Sequence, residues 1–458
     1  FPLTDVQRAY WLGRQTGATS IATHIYHEFD VEHFNVTRFT HAVNALIARH
    51  EMLRARVLPD GTQQILAQVP AYQLEQRDLS ALSPNARNDA LMAIRDRLSH
   101  HVHPADRWPL FDFSYSACTA QHGRLHFSLD LLIADALSMR TLQQELMMLY
   151  REPHVSLPLL PFSFRDYVQA LLVEQASEAY ARDQAYWQRA LPQLYGPPTL
   201  PVQGDLAQLS AIRFVRRRHR LSAHNWGVLS ALAQRTRITK TALLLTVFSQ
   251  VLARWSLSPT FTLNLTLFNR PQGYPNAEAV IGDFTAVSLL NVCYDSQHSY
   301  AHNAQRIQVQ LWEDLEHRRF SGIRASEALI HSGRFHAPMP VVFTSMLDID
   351  GETTAQDPRD TTRFTLCPDA NITQTPQVWL DHQVIELAGE LHFNWDAVEQ
   401  LFDTTLLDQM FGAYCHALQA LVAMPQSWWG VNSSLALPTV SAPVTQAPAP
   451  TALLHHGL

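Results

Sequence analysis

Lysine is almost absent from this chain of 458 residues, in which Lys240 is the only one. Lysine and arginine together number 34 against 41 aspartates and glutamates, which gives a formal net charge of −7. A protein that follows a phosphate backbone needs a basic stripe, and the sequence has none. The composition therefore argues against nucleic acid as a partner.

Cysteine is also scarce, since Cys118, Cys293, Cys367 and Cys415 lie far apart and form no Cys-x-x-Cys pair. This spacing fits neither a zinc site nor a disulfide framework, so we expect free thiols in a reducing, cytoplasmic environment and no metal. Long apolar runs are missing too. The most apolar stretch, 241–255, contains polar residues and is shorter than the roughly 20 residues that cross a bilayer, which predicts no membrane span.

The sequence does contain enough apolar material for large packed cores, because 47% of its residues are hydrophobic and only 16% are charged. At about 100–200 residues per domain, the length predicts two to four folding units. We expect two mixed α/β lobes at 1–175 and 176–436, and a Pro/Ala-rich interdomain linker at 437–458. The proline-rich region 152–204 would form the crossover between the lobes.

Local patterns in the first lobe predict helices alternating with strands. Thr4 and Gln7 have the spacing of a capping box at the start of a short helix. Apolar residues alternate through 111–117 and again through 125–129, on either side of a turn, which predicts a β-hairpin. A helical apolar pattern follows at 139–149.

The same reasoning predicts further elements along the rest of the chain. They are one helical stretch around Phe164–Trp187, helices from Ser222 and across Thr241–Trp255, and strands at Phe261–Phe268, Ala286–Tyr294, Val341–Met346 and Val378–Glu386.

Two carboxylates lie between the predicted hairpin and the helix that follows it, in the pattern Asp130-x-x-x-x-Asp135-x-x-Ser138. Spacing alone favours structural roles, with Asp135 as a helix cap and Asp130 paired with an arginine. Junctions between a strand and a helix are also places where folds bind ligands. The densest histidine cluster, 100–103, has no carboxylate or thiolate at ligand spacing, so solvated side chains are favoured over a metal site.

Three predicted strands carry polar residues at alternating positions. Asn264 lies on the polar face of its strand, which either lines a cavity or meets water. Thr344 lies opposite Ser345 in a strand that is otherwise apolar enough to be buried, where a threonine is most often a satisfied core residue.

Asp381 shares a strand face with Gln377, Trp379 and Gln383. An acid beside a large aromatic can have a raised pKa and act as a general acid or base near neutrality. The alternative is a charge on an edge strand that keeps the sheet soluble. Composition does not decide between the two.

Taken together, these residues resemble the heterocyclization domains of nonribosomal peptide synthetases, which are relatives of the condensation domains. The segments that match the family follow its order over nearly the whole chain, to about residue 430. They are 1–14, 49–54, 130–138, 162–167, 282–285, 341–345 and 374–381.

One departure from ordinary condensation domains is chemically informative. Those domains carry a His-His-x-x-x-Asp-Gly block whose second histidine is the active-site residue. Here Leu131 stands in its place between Asp130 and Asp135, so no imidazole can act there and another group must handle protons. His100 and His101 do not replace the block, because Asp106 comes one residue too late and no glycine follows it.

The resemblance implies that each lobe has the fold of a chloramphenicol acetyltransferase subunit and that the two lobes form a V-shaped pseudo-dimer with a central tunnel. It implies as partners an upstream and a downstream carrier protein, each inserting a phosphopantetheine arm, and a neighbouring adenylation domain. The domain itself would bind no cofactor.

The resemblance further implies a reaction in two stages: condensation of an acyl carrier thioester with a cysteinyl, seryl or threonyl carrier thioester, and then cyclodehydration to a thiazoline or oxazoline. It assigns proton transfer to Asp381, assisted by Thr344. Asn264, Ser345 and Gln377 match positions that support cyclization. By the same resemblance, Asp130, Asp135 and Ser138 are architectural.

Two other functions stay open at this point, namely a condensation domain that forms only the amide and an inactive module that docks carrier proteins. The retention of Thr344 and Asp381 argues against the second. The sequence does not distinguish cysteine, serine and threonine as the nucleophilic amino acid. We take cysteine as the default.

Overall fold

The computed structural model describes residues 1–14, 23–204, 209, 212–271, 273–347, 362–367 and 370–431. Over this part the chain forms two compact units. The first comprises the described residues of Phe1–Val173, Phe268–Thr285 and Thr354–Pro376, and the second comprises those of Glu174–Leu267, Ala286–Thr353 and the chain from Gln377 on. The predicted linker at 437–458 lies outside the described residues.

The helices and strands alternate along the chain, as expected for a mixed α/β protein. In chain order they are α1 (Asp5–Gly13), β1 (His24–Glu32), α2 (Val36–Arg49), β2 (Ala55–Val57), β3 (Gln63–Ile65), β4 (Glu75–Asp78), α3 (Pro84–Ser99), β5 (Phe111–Ala117), β6 (His122–Asp130), α4 (Ala136–Arg151), α5 (Phe164–Glu174), α6 (Glu178–Ala190), β7 (Phe214–Leu221), α7 (Ala223–Thr236), α8 (Lys240–Trp255), β8 (Thr260–Phe268), β9 (Thr285–Cys293), α9 (Tyr300–Glu316), α10 (Gly322–His331), β10 (Val341–Met346), β11 (Arg363–Leu366), β12 (Ile372–Gln374), β13 (Leu380–Leu387), β14 (Glu390–Val398) and α11 (Thr404–Ala423). None of these described helices is long and apolar enough to cross a membrane.

The observed units differ from the predicted lobes 1–175 and 176–436, because neither is one continuous segment. Two later segments return to the first unit. Strands β11 and β12 both pair with β1, and Ser138 Oγ donates a hydrogen bond to the carbonyl oxygen of Gly282 at 2.8 Å. Pairings over such distances along the chain leave no local sequence pattern, so the sequence alone favoured continuous lobes.

The sheet of the first unit has the strand order β11-β1-β6-β5-β4, with β12 also paired to β1. The predicted hairpin is confirmed as the antiparallel pair of β5 and β6. Apolar residues of these strands pack with those of α2 and α4 in one core, in which the rings of Phe113 and Phe127 stack at 4.2 Å. The predicted capping box is present as well, since Thr4 and Gln7 exchange hydrogen bonds between side chain and backbone at the start of α1.

The sheet of the second unit has the strand order β7-β14-β13-β10-β8-β9. Strand β10 runs parallel to both β8 and β13, whereas β14 is antiparallel to β13 and to β7. On one face of the sheet, His382 of β13 contacts Phe248 of α8 and Tyr414 of α11, with ring centroids 4.7 Å apart in each case. Because side chains alternate along a strand, the residues next to His382 lie on the opposite face.

Two predicted elements have different boundaries in the structure. The single helix expected around Phe164–Trp187 is two helices, α5 and α6, because Ser177 begins a new helix by accepting a hydrogen bond from the amide of Tyr180. The strand expected at Val378–Glu386 starts two residues late, at Leu380, and follows a turn in which Gln377 has a left-handed backbone with a φ of 65°.

The buried ring of His382 makes the fold sensitive to acid. Burial lowers its pKa from 6.5 to about 3, so between these pH values the unfolded chain binds a proton that the folded chain does not. Stability is therefore lost as the pH falls below 6.5, at about 1.4 kcal/mol per pH unit from this residue. We expect the free energy of unfolding of His382→Leu to fall less between about pH 7 and about pH 5 than that of the wild type, as measured by urea unfolding. Equal slopes for the two proteins would contradict this.

Candidate active site

Polar residues from five strands of the second sheet lie at matching register positions. Because paired residues point to the same side of a sheet, their side chains form two rows on the face opposite His382. One row is Asn264, Val342, Asp381, Asp396 and Arg216, and the next is Thr266, Thr344, Gln383, Asn394 and Arg218. The sheet thus brings together residues from strands that are far apart in sequence.

Asp381 lies at the centre of this group and is held by neutral hydrogen-bond donors. The hydroxyl of Thr344 donates to Asp381 Oδ1 at 3.3 Å, and Gln383 Nε2 donates to Oδ2 at 2.6 Å. The Gln383 side chain is fixed in turn by Asn394, whose Nδ2 donates to Gln383 Oε1 at 3.3 Å. Both oxygens of Asp381 therefore have a defined partner, and the carboxyl group has a defined orientation.

The hydroxyl of Thr344 also contacts that of Thr266, with 2.9 Å between the two oxygens. A hydroxyl has one hydrogen, so Thr344 can donate to only one of its two neighbours at a time. When Asp381 is ionised, Thr344 donates to it and accepts from Thr266. When Asp381 carries a proton on Oδ1, it can donate to Thr344, which then donates to Thr266. The chain of three groups accommodates both protonation states without moving.

The environment of Asp381 favours its protonated form. Its side chain is buried, with 8% of the residue exposed, and this burial raises its pKa from 3.8 to about 7. The negative charge of Asp396 raises the pKa further, whereas the hydrogen bonds from Gln383 and Thr344 and the charge of Arg216 oppose the rise. Asp381 can therefore both give and take a proton near neutral pH.

Asp396 lies directly opposite Asp381 on β14 and is fully buried. It is bound by two nitrogens of Arg216 on β7, with Nε 2.7 Å from Oδ1 and Nη2 2.6 Å from Oδ2. Two carboxyl groups thus occupy neighbouring positions in different surroundings, because Asp396 has a cation as its bidentate partner and Asp381 has an alcohol and an amide.

The structure does not bring all of the predicted supporting residues to Asp381. Asn264 lies in the same row, two strands away, where its Nδ2 donates to the carbonyl oxygen of Met339 at 2.6 Å. Ser345 lies on the other face of β10, and its hydroxyl is 2.9 Å from that of Thr241 at the start of α8. Gln377 is exposed in the turn before β13 and does not share a strand face with Asp381 as we predicted.

The three motif residues of the first unit form two groups: Asp135 and Ser138 connect α4 to the segment 268–285, and Asp130 at the end of β6 pairs with Arg14. Asp135 caps α4 by accepting from the amide of Ser138 at 2.7 Å, and it also accepts from Arg270 Nη2 at 2.7 Å. Asp130, with no exposed side-chain surface, pairs with Arg14. The predicted helix cap by Asp135 and the predicted arginine partner of Asp130 are confirmed.

Histidine is absent from the motif position of the first unit, where Leu131 packs against the apolar core. His100 and His101 lie at the C-terminal end of α3, and His103 lies in the following loop with Nε2 3.1 Å from Ser128 Oγ. Within the described segments, no three histidine, cysteine, aspartate or glutamate side chains come together in a way that could hold a metal ion.

Comparison with known proteins places this geometry in a family. The condensation domain family matches residues 1–431. The chain is 37% identical to the crystallised EpoB NRPS cyclization-docking bidomain from Sorangium cellulosum, with a TM-score of 0.84 over 93% of this chain and 86% of that one.

The chain belongs to the condensation domain family. Within this family it is a cyclization domain of the nonribosomal peptide synthetase type, and it has the chloramphenicol-acetyltransferase-like fold of such domains.

Curated relatives of this cyclization domain are much longer than the chain. Pyochelin synthetase PchF from Pseudomonas aeruginosa is 36% identical over 446 residues, which are 93% of this chain and 24% of that protein. Phenyloxazoline synthase MbtB from Mycobacterium tuberculosis is 35% identical over 474 aligned positions, which cover 100% of this chain and 32% of that protein. The chain therefore spans a third or less of the length of these two relatives.

Four residues of the two rows around Asp381 were not among the predicted site residues: Thr266, Gln383, Asp396 and Arg216. Gln383 and Thr266 lie two positions from Asp381 and Asn264 on the same strand faces, so alternation was a usable signal for both. Asp396 and Arg216 had no such signal, because their relation to Asp381 depends on which strands pair and in which register.

The contact between Thr344 and Asp381 can be tested by removing one hydroxyl. Thr344→Val keeps the branched shape but cannot donate to Asp381, so we expect slower ring closure with near-normal stability. Thr344→Ser, which retains the hydroxyl, should recover most of the rate. The measurement is the ratio of cyclized to linear product by kinetic mass spectrometry, with a melting curve for each variant.

Ser345→Ala is the matched control for this experiment, because it removes a hydroxyl from the adjacent residue on the opposite face of β10. It should cost about 1 kcal/mol of stability through the lost contact with Thr241 and leave the product ratio unchanged. A wild-type ratio in Thr344→Val would show that the threonine is only a satisfied core residue.

Proposed function

We propose that this domain joins an upstream acyl or peptidyl thioester to a cysteinyl, seryl or threonyl thioester and then closes the product to a thiazoline or oxazoline. Both substrates arrive on phosphopantetheine arms of carrier proteins, and an adenylation domain is a neighbour in the same synthetase. Cysteine is the proposed nucleophile. A cytoplasmic location stays a prediction.

The observation that carries the proposal is the buried position of Asp381 between Thr344 and Gln383, which hold its two oxygens, and this burial raises its pKa to about 7. Amide formation by attack of an amine on a thioester releases a thiol and is favourable without a strong acid. Ring closure is harder, because an amide oxygen must leave as water. A buried acid near its midpoint at neutral pH suits that second stage.

The proton balance of ring closure needs only one carboxyl group. The side-chain sulfur or oxygen attacks the amide carbon, its proton is transferred to the former carbonyl oxygen, and a tetrahedral adduct with a hydroxyl group forms. Protonated Asp381 then gives its proton to that hydroxyl, which leaves as water, and the carboxylate takes the proton from the ring nitrogen as the C=N bond forms. Asp381 ends in the state in which it began, and Thr344 stabilises both of its forms.

Names of relatives support the ring-forming activity over its alternatives. PchF is a pyochelin synthetase, MbtB is a phenyloxazoline synthase, and the EpoB bidomain contains a cyclization domain. A domain limited to amide formation would have no use for an acid held at this protonation midpoint. A module that only docks carrier proteins would need neither Asp381 nor Thr344.

One experiment separates the three functions. The domain is incubated with a donor carrier protein bearing an acyl thioester and an acceptor carrier protein bearing a cysteinyl thioester, and the tethered product is measured by intact mass spectrometry. Condensation alone adds the acyl group to the acceptor and releases the donor thiol, and cyclodehydration then lowers the product mass by one water. Linear amide as the final product would support the amide-only function, and unchanged substrates would support the docking module. Parallel acceptors loaded with serine and threonine identify the nucleophile.

A further inference from the structure

Two buried carboxyl groups of the second sheet have hydrogen-bond partners of different charge. Asp381 on β13 and Asp396 on β14 are paired in register, and directly opposed residues of an antiparallel pair have Cβ atoms about 4.5–5.5 Å apart. Arg216, the next residue in that row, binds Asp396 bidentately. Asp381 is bound by Thr344 and Gln383, which carry no charge.

We propose that Asp396 is a positioning residue for ring closure: it holds the Arg216 guanidinium away from Asp381 and so keeps Asp381 able to carry a proton. This inference rests on the proposed function, in which Asp381 transfers that proton. Neither Asp396 nor Arg216 needs to touch substrate, because both act on the charge that Asp381 experiences.

The physical reason is competition for one cation. A guanidinium next to a carboxylate lowers its pKa, typically by about 1–3 units, and a buried acid paired with arginine stays ionised at neutral pH. Bidentate binding to Asp396 fixes the fork of Arg216 at one carboxylate. The negative charge of Asp396 raises the pKa of Asp381, because a second ionised carboxylate beside it is disfavoured.

Among the other described residues of the two rows, only Arg218 carries a charge. Strand β10 contributes Val342 and Thr344 to the two rows, and β14 contributes Asn394 beside Asp396. On β7 the second row holds Arg218, an exposed residue that lies opposite Asn394. The neighbouring His382 is on the other face of the sheet, among aromatic rings.

The test reads the protonation of Asp381 directly. Infrared spectroscopy of the purified domain follows the carbonyl stretch of protonated carboxyl groups as a function of pH, and the band lost in Asp381→Asn is assigned to Asp381. We expect a midpoint near neutrality in the wild type. Asp396→Asn, which frees Arg216 to interact with Asp381, should lower the midpoint by about one unit or more.

The double variant Asp396→Asn/Arg216→Gln shows whether Arg216 causes that shift. It removes both charges together, so the midpoint should return most of the way toward the wild-type value. A neutral pair in place of a buried ion pair is often tolerated, which keeps the test available if Asp396→Asn folds poorly. Glu390→Gln is the matched control, because it breaks another ion pair between β14 and β7, with Arg220, and should leave the midpoint in place.

Kinetics supply the second readout. In Asp396→Asn the ring-closure rate at neutral pH should fall about tenfold for each unit by which the midpoint drops, its pH optimum should move to lower pH, and amide formation should be unchanged. A midpoint in Asp396→Asn equal to that of the wild type would overturn the inference while leaving the proposed function intact. Normal ring closure by Asp381→Asn would overturn the role of Asp381 in proton transfer, and linear amide as the final product of the wild type would overturn the proposed function, whatever the titration of the Asp396 variants shows.

Discussion

Ring closure by Asp381→Asn is expected to be about 10²–10⁴-fold slower than by the wild type, while amide formation continues and linear product accumulates. Asparagine keeps the size and hydrogen-bonding capacity of the side chain, and the Gln383 amide can rotate to present its oxygen to the new NH₂ group. What is lost is the exchangeable proton. The measurement is product mass against time with both loaded carrier proteins, and an equal loss of both stages in a folded variant would contradict the assignment.

The same substitution should stabilise the fold, and this effect should grow with pH. Asp381 has a pKa of about 7 when folded and an ordinary value of 3.8. Between those values the folded chain binds more protons than the unfolded chain, so stability falls as the pH rises, by about 1.4 kcal/mol per unit and about 4 kcal/mol in total above pH 7. Asparagine does not ionise and removes this penalty.

Urea unfolding of Asp381→Asn and the wild type at about pH 5 and about pH 8 checks the effect, because the difference between the two proteins should be larger at the higher pH. Asp408→Asn is a suitable control, since its carboxyl is exposed and pairs with Arg217 in the same unit. A stability difference that does not change with pH would show that Asp381 has an ordinary protonation equilibrium.

Asp135→Ala is expected to cost about 3–5 kcal/mol in the free energy of unfolding and to abolish both reaction stages together. The side chain of Asp135 has no exposed surface, and its partner Arg270 keeps only 14% exposed. Removal of the carboxylate leaves a buried guanidinium without its counter-charge. It also removes the cap of α4, which alone is worth about 1 kcal/mol.

Asp135→Asn separates these two contributions, because asparagine is as good a cap as aspartate but has no charge. It should recover about 1 kcal/mol relative to alanine and stay well below the wild type in urea unfolding. Asp130→Ala should lose stability and both reaction stages as Asp135→Ala does, since its partner Arg14 is also buried. If any of these variants unfolds like the wild type and selectively loses cyclization, its aspartate belongs among the catalytic residues.

Local sequence patterns were sufficient for much of the second sheet. Strands β8, β9 and β10 lie within one residue of the predicted segments, and α7 begins directly after Ser222, where a helix was expected. These elements are short and strongly patterned, and their turns and caps have clear chemistry. The start of β13 was predicted less well, because a left-handed residue such as Gln377 leaves no apolar signal.

Alternation along single strands also fixed which side chains share a face. It placed Thr344 opposite Ser345, and the structure confirms that only Thr344 lies on the side of Asp381. The sequence also shows Leu131 at the position of the family's histidine, which indicates that another group transfers the proton. The sequence by itself therefore showed the absence of an imidazole from the motif, and its resemblance to a family indicated the type of domain and predicted the two residues most important for the proposed chemistry.

Tertiary structure alone decided how these residues meet. Thr344 and Asp381 are 37 residues apart, and they touch because β10 and β13 are parallel neighbours in one particular register. Arg216 and Asp396 are 180 residues apart and reach the same row through two further antiparallel pairings. Register between distant strands depends on the packing of the whole sheet, and so do the burial and the neighbouring charges that set the pKa of Asp381.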